Sequence, residues 1–439
     1  MKNKGWMLYE KAQKLLPGAT QLFGKRSELY APEVWPSYFS SAKGCTVFDL
    51  EGKEYLDFTM VGIGTSVLGY ADDDVNASVI DAIKNGNLTT LNAKVEIDLA
   101  EELLEIHPWA DMVKYSRGGG EMLSVAVRIA RASTRKEKIL FCGYHGWHDW
   151  YLSANLTSPN SLKDHLLSNI SIAGLPSSLK NSIMSFEFND EASFLDVYNK
   201  YKNELAAIII EPYRNNGPQA NFLSLLRDCA NRSNSVLIFD EVTSGFRECL
   251  GGMHLRQDVM PDLVTYGKAI SNGFAMAALV GRRKIMEKAL DTFISSTYWT
   301  DRIGPTAALA TIKKQERIQS GKKIVEIGNQ IKLILENSAK ASNLNINIVG
   351  MPSLLTFKLD VDDWPASLTF YIQEMLKKGF LASDRVYANM AHTPEKLQKF
   401  SNATKDVFSD LYNAIHTNSL YQMLDGPIKQ MGISKVNTK

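Results

Sequence analysis

The strongest constraint on the fold is a regular alternation of short apolar segments and helical stretches between about residues 110 and 285. The apolar segments have the length and composition of buried strands, and their sequences are MVKYS, KILF, AAIII, SVLIFD, LVTYG and MAALVG. Such an alternation predicts βαβ units, in which a mostly parallel sheet lies between helices. We therefore expect an α/β fold for this region.

The regions on either side predict a smaller α+β domain. Residues 46–58 alternate apolar and polar positions on two arms around a glycine turn, which predicts a β-hairpin. After one long amphipathic helical pattern from about 307 to 338, the segments LLTFKL and LTFYIQEMLKKG and a final helix near 395–415 favour a mixed unit. We expect the polar residues from about Asp425 to fray.

These patterns divide the chain into two domains. We expect residues 61–320 to form the large domain, with residues 1–60 and 321–439 forming the smaller one. No internal repeat or low-complexity linker separates them, so the sequence predicts closely packed units.

Charge and hydropathy exclude several classes of protein. The 439 residues include 49 Lys and Arg against 48 Asp and Glu, so the chain is neither a polybasic nucleic-acid binder nor a disordered tail. The uncharged stretch 58–71 is shorter than the roughly 20 apolar residues that span a bilayer. The first residues lack the apolar core of a signal peptide, so we expect a cytoplasmic protein without a membrane partner. The four cysteines are widely separated, which argues against disulfides.

A glycine turn is the first feature with chemical meaning. Gly118, Gly119 and Gly120 lie between the strand MVKYS and an amphipathic helix. Backbone N–H groups at a helix start can approach a phosphate closely, and the helix dipole favours its negative charge. Alone, this turn fits an anion site and a plain strand-to-helix connection equally well.

An aspartate at a strand end is the second feature. Asp240 closes the apolar strand VLIFD. Because ligands of open α/β sheets bind at the carboxyl ends of the strands, its carboxylate is expected to face the site. It could hold a proton on a heteroaromatic nitrogen, and a helix cap or a metal ligand is the alternative.

A lysine among neutral neighbours is the third feature. Lys268 follows the short strand LVTYG. Desolvation lowers the pKa of a lysine amine, which is what a Schiff-base lysine requires. A solvated surface charge is the ordinary alternative for a single lysine. The order of the turn, then Asp240, then Lys268 favours the chemical interpretation.

In this order the three features resemble the class III pyridoxal-phosphate aminotransferases, in the branch similar to glutamate-1-semialdehyde aminomutase. The resemblance runs through nearly the whole chain and includes GCTVFDLEGKEYLDF, GGGEMLSVAVRIARAST, FCGYHGWHDWY, IFDEVTSGFR and PDLVTYGKAISNG. It implies the PLP-dependent transferase fold of the type I aminotransferases, with a large domain and a smaller α+β domain. It also implies pyridoxal 5'-phosphate as the cofactor.

The resemblance assigns roles to the two central residues. Lys268 would bind the cofactor as a Schiff base, the internal aldimine, and would move protons at the substrate carbon. Asp240 would pair with the pyridine N–H and keep the ring cationic.

The resemblance also places residues around the phosphate and the ring. Gly119 and Gly120 would hold the phosphate, while Tyr144 would cover one ring face and Val242 the other. The family usually has Ser-Gly-Thr-Glu at this turn, and here Gly118 and Gly120 replace the two hydroxyl residues. Backbone amides or another hydroxyl would have to replace the missing contact.

Two further roles follow from the resemblance. It implies a homodimer with shared active sites, in which a threonine of one subunit contacts the phosphate bound by the other. Thr297 aligns best with that threonine, and Thr300 is the alternative. Glu211, in the strand-end pair Glu-Pro, would support the cofactor or contact the substrate.

The histidine-rich segment YHGWHDW has a second interpretation. His145, His148 and Asp149 could ligate zinc, as in a metal hydrolase. Gly146 interrupts the helix that this spacing requires, so we expect no metal site.

The predicted reaction is amino transfer between a donor such as glutamate and a small carbonyl acceptor, such as a sugar or another biosynthetic intermediate. Glutamate-1-semialdehyde aminomutase activity and a catalytically silent cofactor-binding protein are the alternatives. The aminomutases resemble P-G-G-V-N-S-P-V-R near residue 17, where this chain has Leu22 for the serine and Lys25 for the arginine. An ammonium recognises a carboxylate less specifically than a guanidinium, so these changes favour a different acceptor.

Overall fold

The computed structural model describes residues 3–159, 161–165, 170–213 and 216–432. The chain forms two compact units. We call Met1–Asp72 with Lys322–Lys439 the terminal unit, and Asp73–Gly321 the central unit. None of the helices in the described residues combines the length and apolar character that a membrane span needs.

The strands are short, and those between residues 110 and 285 are mostly apolar, as the sequence pattern predicts. In chain order they are β1 (Phe39–Lys43), β2 (Thr46–Asp49), β3 (Glu54–Phe58), β4 (Met112–Ser116), β5 (Lys138–Cys142), β6 (Ile183–Ser185), β7 (Leu205–Ile210), β8 (Val236–Asp240), β9 (Leu263–Tyr266), β10 (Ala277–Gly281), β11 (Ile346–Val349), β12 (Leu354–Leu359), β13 (Phe380–Ala382) and β14 (Arg385–Tyr387).

The helices vary from single turns to long amphipathic segments. In chain order they are α1 (Lys4–Leu15), α2 (Val61–Gly64), α3 (Asp73–Lys84), α4 (Val95–Ile106), α5 (Gly119–Thr134), α6 (Asp149–Leu152), α7 (Ala154–Thr157), α8 (Glu191–Tyr201), α9 (Phe222–Ser233), α10 (Arg283–Met286), α11 (Ile303–Ile318), α12 (Ser320–Ala341), α13 (Trp364–Lys377) and α14 (Pro394–His416). Short 3-10 helices include Phe23–Lys25, Met253–Arg256, Lys268–Ser271 and Thr297–Thr300.

The central unit contains the mostly parallel sheet that the alternating pattern predicts. Its described strands lie in the order β4-β10-β9-β8-β7-β5-β6, and only β10 runs antiparallel to its neighbours. Helices α5, α8 and α9 pack against these strands, and α3 and α4 pack against α11. The α/β prediction is therefore confirmed. The six predicted strand segments form six of the seven strands, and the short β6 was not anticipated.

The terminal unit joins the two ends of the chain through backbone and side-chain contacts. The predicted hairpin is confirmed, since β2 pairs antiparallel with β3. Strand β13 adds to the other side of β3 in parallel. Phe58 at the end of β3 stacks on His392 and on Phe400, with ring centroids 4.2 Å apart in both pairs. These contacts bury the junction between the N- and C-terminal segments.

The prediction of one long helix over 307–338 is wrong in one respect, because the structure has two helices there, α11 and α12. Helix α11 ends at Ile318 because Gln319 takes a left-handed backbone conformation (φ 51°). Its N–H caps the helix through the carbonyl of Glu316. The amphipathic pattern continues across this break, so periodicity alone could not locate it.

The predicted fraying from Asp425 is also incorrect for the residues that the structure describes. The backbone N–H of Asp425 donates to Gln373 Oε1 (2.8 Å), and that of Lys429 donates to Thr369 Oγ1 (3.0 Å). Further along, Gln430 N donates to the carbonyl of Glu28. Polar side chains on α13 therefore hold residues 425–429 in place, although their polar composition is typical of a frayed terminus. Residues 433–439 lie outside the described residues.

Replacing Gly328 with alanine is expected to destabilise the terminal unit. A Cβ at this position of α12 would overlap the carbonyl oxygen of Pro352. Because backbone must move to relieve the overlap, we expect a loss of about 1–3 kcal/mol in the free energy of unfolding. The midpoint of urea unfolding, followed by circular dichroism, measures the change. Gly24→Ala is the control, since a Cβ there meets no atom within 4 Å; equal midpoints for the two variants would contradict the prediction.

Candidate active site

The carboxyl ends of four neighbouring strands bring most of the predicted site residues to one edge of the central sheet. Asp240 ends β8, Glu211 follows β7, Tyr144 follows β5, and Lys268 follows β9. These strands are adjacent and parallel, in the order β9-β8-β7-β5. Residues far apart in sequence therefore meet because parallel strands end at the same edge.

The carboxylate of Asp240 is buried and held on both sides. Its exposed fraction is 2%. The backbone N–H of Val242 donates to Oδ1 (3.0 Å), and His145 Nδ1 donates to Oδ2 (2.7 Å). His145 is itself fully buried. From the sequence, His145 is considered only as a metal ligand, and no local pattern indicates its bond to Asp240, because the two residues lie 95 positions apart.

The amine of Lys268 lies in a buried environment. Burial lowers its pKa, and the nearby Arg247 guanidinium lowers it further. Glu211 and Asp240 act in the opposite direction. The Nζ atom donates a hydrogen bond to Thr243 Oγ1 at 2.8 Å. An amine whose pKa is lowered by burial loses its proton at a lower pH than an exposed lysine does. The neutral amine can then act as a nucleophile and as a base.

Tyr144 and Glu211 form a linked pair beside Asp240. The backbone N–H of Tyr144 donates to Glu211 Oε2 (3.0 Å), and the Glu211 side chain is buried. Burial raises the pKa of the Tyr144 phenol, and the carboxylates of Asp240 and Glu211 raise it further. The ring therefore stays neutral. The contact also fits a supporting role for Glu211, because it fixes the backbone that carries the Tyr144 ring.

The glycine turn packs tightly at two of its three positions. Gly118 precedes α5 in extended conformation and offers no side-chain cap. A Cβ at Gly119 would lie 2.8 Å from Val242 Cγ1, so only glycine fits there. A Cβ at Gly120 would lie 3.4 Å from Gly146 Cα. At Gly118 the nearest atom would be 3.9 Å away, which leaves room for a side chain.

A second buried carboxylate, Glu241, fixes the loop after β8. It accepts hydrogen bonds from the Ser244 hydroxyl, from the backbone N–H groups of Met253 and His254, and from His254 Nδ1. Burial alone would raise the pKa of Glu241, but the bonds from His254 and Ser244 outweigh it and lower the pKa. The indole N–H of Trp109 donates to His254 Nε2, so the imidazole connects Trp109 to Glu241. Sequence reasoning missed this network.

Thr297 lies apart from these residues on an exposed 3-10 helix. The hydroxyl of Thr300 donates to its carbonyl oxygen (2.8 Å). An ion pair between Arg117 and Asp301 ties this segment to the residue just before the glycine turn. This ion pair connects the segment that carries Thr297 to the glycine turn. Within the described residues, Thr297 itself makes no hydrogen bond or ion pair with the other candidate site residues.

Lys25 belongs to the terminal unit, where it is exposed at the end of the 3-10 helix Phe23–Lys25. The neighbouring Arg26 is buried, and its guanidinium lies 4.2 Å from the centroid of the Phe23 ring. Of these two cations, Lys25 is the one available to a ligand.

The segment YHGWHDW shows no metal-binding arrangement. Among the described residues, no group of three or more His, Cys, Asp or Glu side chains is placed to hold a metal ion. His145 bonds to Asp240, while Trp147 stacks on His148 with ring centroids 4.5 Å apart. The two histidines therefore serve different neighbours.

The residues at this edge fit the cofactor that the resemblance implies. The side-chain-free turn at Gly119 abuts Val242 and exposes the N-terminal N–H groups of a 16-residue helix, as a phosphate requires. The buried Asp240 carboxylate and the half-buried Lys268, whose pKa burial lowers, lie at the same sheet edge, as a pyridine nitrogen and an aldehyde carbon require.

Comparison with known proteins agrees with this geometry. The profile of the family described as aminotransferase class-III matches residues 30–384. A 3-aminobutyryl-CoA aminotransferase of Cloacimonas acidaminovorans (strain Evry) is 34% identical over 363 residues, which cover 80% of this chain and 83% of the relative. A glutamate-1-semialdehyde 2,1-aminomutase of Francisella philomiragia subsp. philomiragia is 31% identical, over 92% of this chain and 97% of the relative.

Solved structures show the same fold. The FumI protein of Sphingopyxis sp. MTA144, in its PLP internal aldimine form, matches with a TM-score of 0.85 and 23% identity, over 94% of this chain and 98% of that one. An omega-transaminase from Sphaerobacter thermophilus matches with a TM-score of 0.80 and 24% identity, over 93% and 98%. The chain thus belongs to the class III aminotransferases, in the branch similar to glutamate-1-semialdehyde aminomutase, and is a pyridoxal-phosphate-dependent enzyme.

Proposed function

We propose that Lys268 is the residue that binds the cofactor covalently and moves protons during amino transfer. The observation that carries this proposal is the buried Lys268 amine, which shares its surroundings with the Asp240 carboxylate at the strand edge. Two groups of opposite charge, both removed from water, are what a cofactor with a reactive carbonyl and a ring nitrogen needs.

The protein residues divide the work of the reaction. When bound, pyridoxal phosphate supplies a ring that withdraws electrons from the substrate carbon. Lys268 Nζ, whose pKa is lowered by burial, would accept a proton from that carbon and return it elsewhere. Asp240 would pair with the ring nitrogen, and the hydrogen bonds from His145 and the Val242 N–H fix the orientation of its carboxylate.

Other residues orient the ring and its phosphate. Tyr144, whose backbone N–H is bound by Glu211, would cover one face of the ring, and Val242 would cover the other. The N–H groups of Gly119 and Gly120 at the start of α5 would bind the phosphate without a side-chain hydroxyl from the turn.

The reaction is transfer of an amino group from a donor such as glutamate to a small carbonyl acceptor. The relative at 34% identity is an aminotransferase, which favours release of the aminated product. The exposed Leu22 and Lys25, where an aminomutase would have serine and arginine, favour an acceptor other than glutamate-1-semialdehyde. Aminomutase activity is the second candidate, because the Francisella enzyme matches 92% of this chain.

The two candidates differ in whether an amino donor is consumed. We expect the yellow holoenzyme to lose its visible absorption on addition of glutamate or another amino donor, and to recover it with a carbonyl acceptor such as a keto sugar. We expect slow conversion of glutamate-1-semialdehyde to 5-aminolevulinate. Stopped-flow absorption with each donor and a colorimetric assay of 5-aminolevulinate measure both. Efficient formation of 5-aminolevulinate would establish the aminomutase instead.

The role of Lys268 is tested in the same preparations. Borohydride reduction followed by peptide mass analysis should place the cofactor on Lys268. Lys268→Ala should bind the cofactor without a covalent bond and lose turnover, whereas Lys284→Ala, an exposed lysine of the same unit, should behave as the wild type. Labelling at another lysine would refute the assignment.

We further propose a homodimer in which Thr297 of one subunit reaches the phosphate bound by the other. Support comes from large apolar side chains exposed on the central unit near this segment in sequence. Their exposed fractions are 86% for Leu290, 91% for Phe293 and 73% for Tyr298. Side chains of this size are usually covered, so a second copy is the natural partner.

Mixing two impaired variants tests the shared site. Thr297→Asp should repel the phosphate and Lys268→Ala should abolish turnover, so each homodimer is nearly inactive. After subunit exchange, heterodimers contain one intact site, and about a quarter of wild-type activity should return. The control repeats the mixing experiment with Thr300→Asp in place of Thr297→Asp, and it shows which of the two threonines reaches the phosphate. No recovery with either threonine variant, or a monomer that is fully active on dilution, would overturn the shared-site proposal.

Restoring a hydroxyl to the glycine turn should strengthen cofactor binding at one position only. Gly118→Ser has room for its side chain, and one added hydrogen bond to the phosphate should slow cofactor release about fivefold. Gly120→Thr should release the cofactor faster, because its side chain must displace Gly146 or His148. Loss of visible absorption during dialysis measures both rates. Gly118→Ala controls for the added carbon, and slower release in that variant too would contradict the role of the hydroxyl.

A further inference from the structure

The hydroxyl of Thr243 is the neutral group in contact with the reactive amine. Thr243 lies three residues after Asp240, in the turn that follows β8. Its Oγ1 accepts a hydrogen bond from Lys268 Nζ at 2.8 Å. Both residues are half-buried, so the bond forms away from bulk solvent.

The turn that carries Thr243 is rigid. The carbonyl oxygen of Thr243 accepts a hydrogen bond from Arg247 Nε. One residue earlier, the N–H of Val242 is bound by Asp240 Oδ1. The hydroxyl is thus fixed relative to the carboxylate that faces the ring nitrogen.

The lysine side of the contact is also constrained. Lys268 has a left-handed backbone conformation (φ 45°), which is uncommon for a residue other than glycine. Its backbone then enters the 3-10 helix Lys268–Ser271. A fixed backbone leaves only the four-carbon stem of the side chain free to adopt other rotamers.

We propose that Thr243 is a positioning residue that holds the amine of Lys268 whenever this amine is not bonded to the cofactor. The inference rests on the proposed role of Lys268. Thr243 would accept one N–H of the amine and so turn the nitrogen lone pair toward the ring side of the site. Without this acceptor, the stem samples other rotamers and the amine is in place for a smaller fraction of the time.

The hydroxyl also affects the protonation of the amine. A hydrogen-bond acceptor favours the ammonium form, which is the better donor. The charged groups that act on Lys268 are Arg247, Glu211 and Asp240, and all three remain when Thr243 is replaced. Loss of the hydroxyl should therefore lower the pKa of the amine, even as it slows its reaction.

Reconstitution of the full-length apoprotein with pyridoxal phosphate reports on both effects. The rate at which visible absorption develops is measured between pH 6 and 10 for Thr243→Val, Thr243→Ala and Thr243→Ser. With valine or alanine, the plateau rate at high pH should fall about tenfold and the midpoint of the pH profile should move to lower pH. Serine keeps the hydroxyl and should reproduce the wild type.

A matched control separates positioning from general loss of packing. Thr311→Val removes another buried hydroxyl, which bonds only within α11 to the carbonyl of Ala307 (2.7 Å), and should leave plateau and midpoint unchanged. Unchanged profiles for both Thr243→Val and Thr243→Ala, or an equal loss in Thr243→Ser, would overturn the proposal. Borohydride labelling of Lys268 in the wild type distinguishes that result from failure of the proposed function.

Discussion

Two adjacent carboxylates at the end of β8 must both be buried, and much of the surrounding structure follows from that requirement. An unpaired buried carboxylate is costly, so each needs its own donors. Glu241 takes four hydrogen bonds from the loop 244–254 and thereby fixes its path. Asp240 takes one from Val242 and one from His145, which lies two strands away. Glu241 thus fixes the path of the loop, whereas Asp240 lies at the sheet edge with the other candidate site residues.

Sequence patterns locate the candidate site residues that lie at strand ends and at the glycine turn, but not the contacts across the sheet. Asp240 ends an apolar strand and Lys268 follows one, so both are recognisable by position, and their roles stay predictions. The bonds from His145 to Asp240 and from Lys268 to Thr243 could not, because they join segments that only the strand order brings together. Fold class was accessible from periodicity, whereas the break at Gln319 depends on one backbone conformation inside a continuous pattern.

The glycine turn packs closely against the loop after β5. A Cβ at Gly120 would lie 3.4 Å from Gly146 Cα and 3.4 Å from His148 Nδ1, so a larger side chain there would share space with that loop. That loop also supplies Tyr144 and His145. The turn thus leaves the start of α5 without a side-chain cap, and its backbone N–H groups are the donors proposed for the phosphate.

The facing pair of Gly120 and Gly146 limits how this sequence can diverge. A Cβ added at Gly146 would lie 3.0 Å from Gly120 Cα, and one added at Gly120 would lie 3.4 Å from Gly146 Cα. Gly146 also has a left-handed backbone (φ 100°) that disfavours other residues. A side chain added at either position would press on the other, so the cost of a substitution at one glycine should depend on the residue at the other, and we expect the two changes to be non-additive.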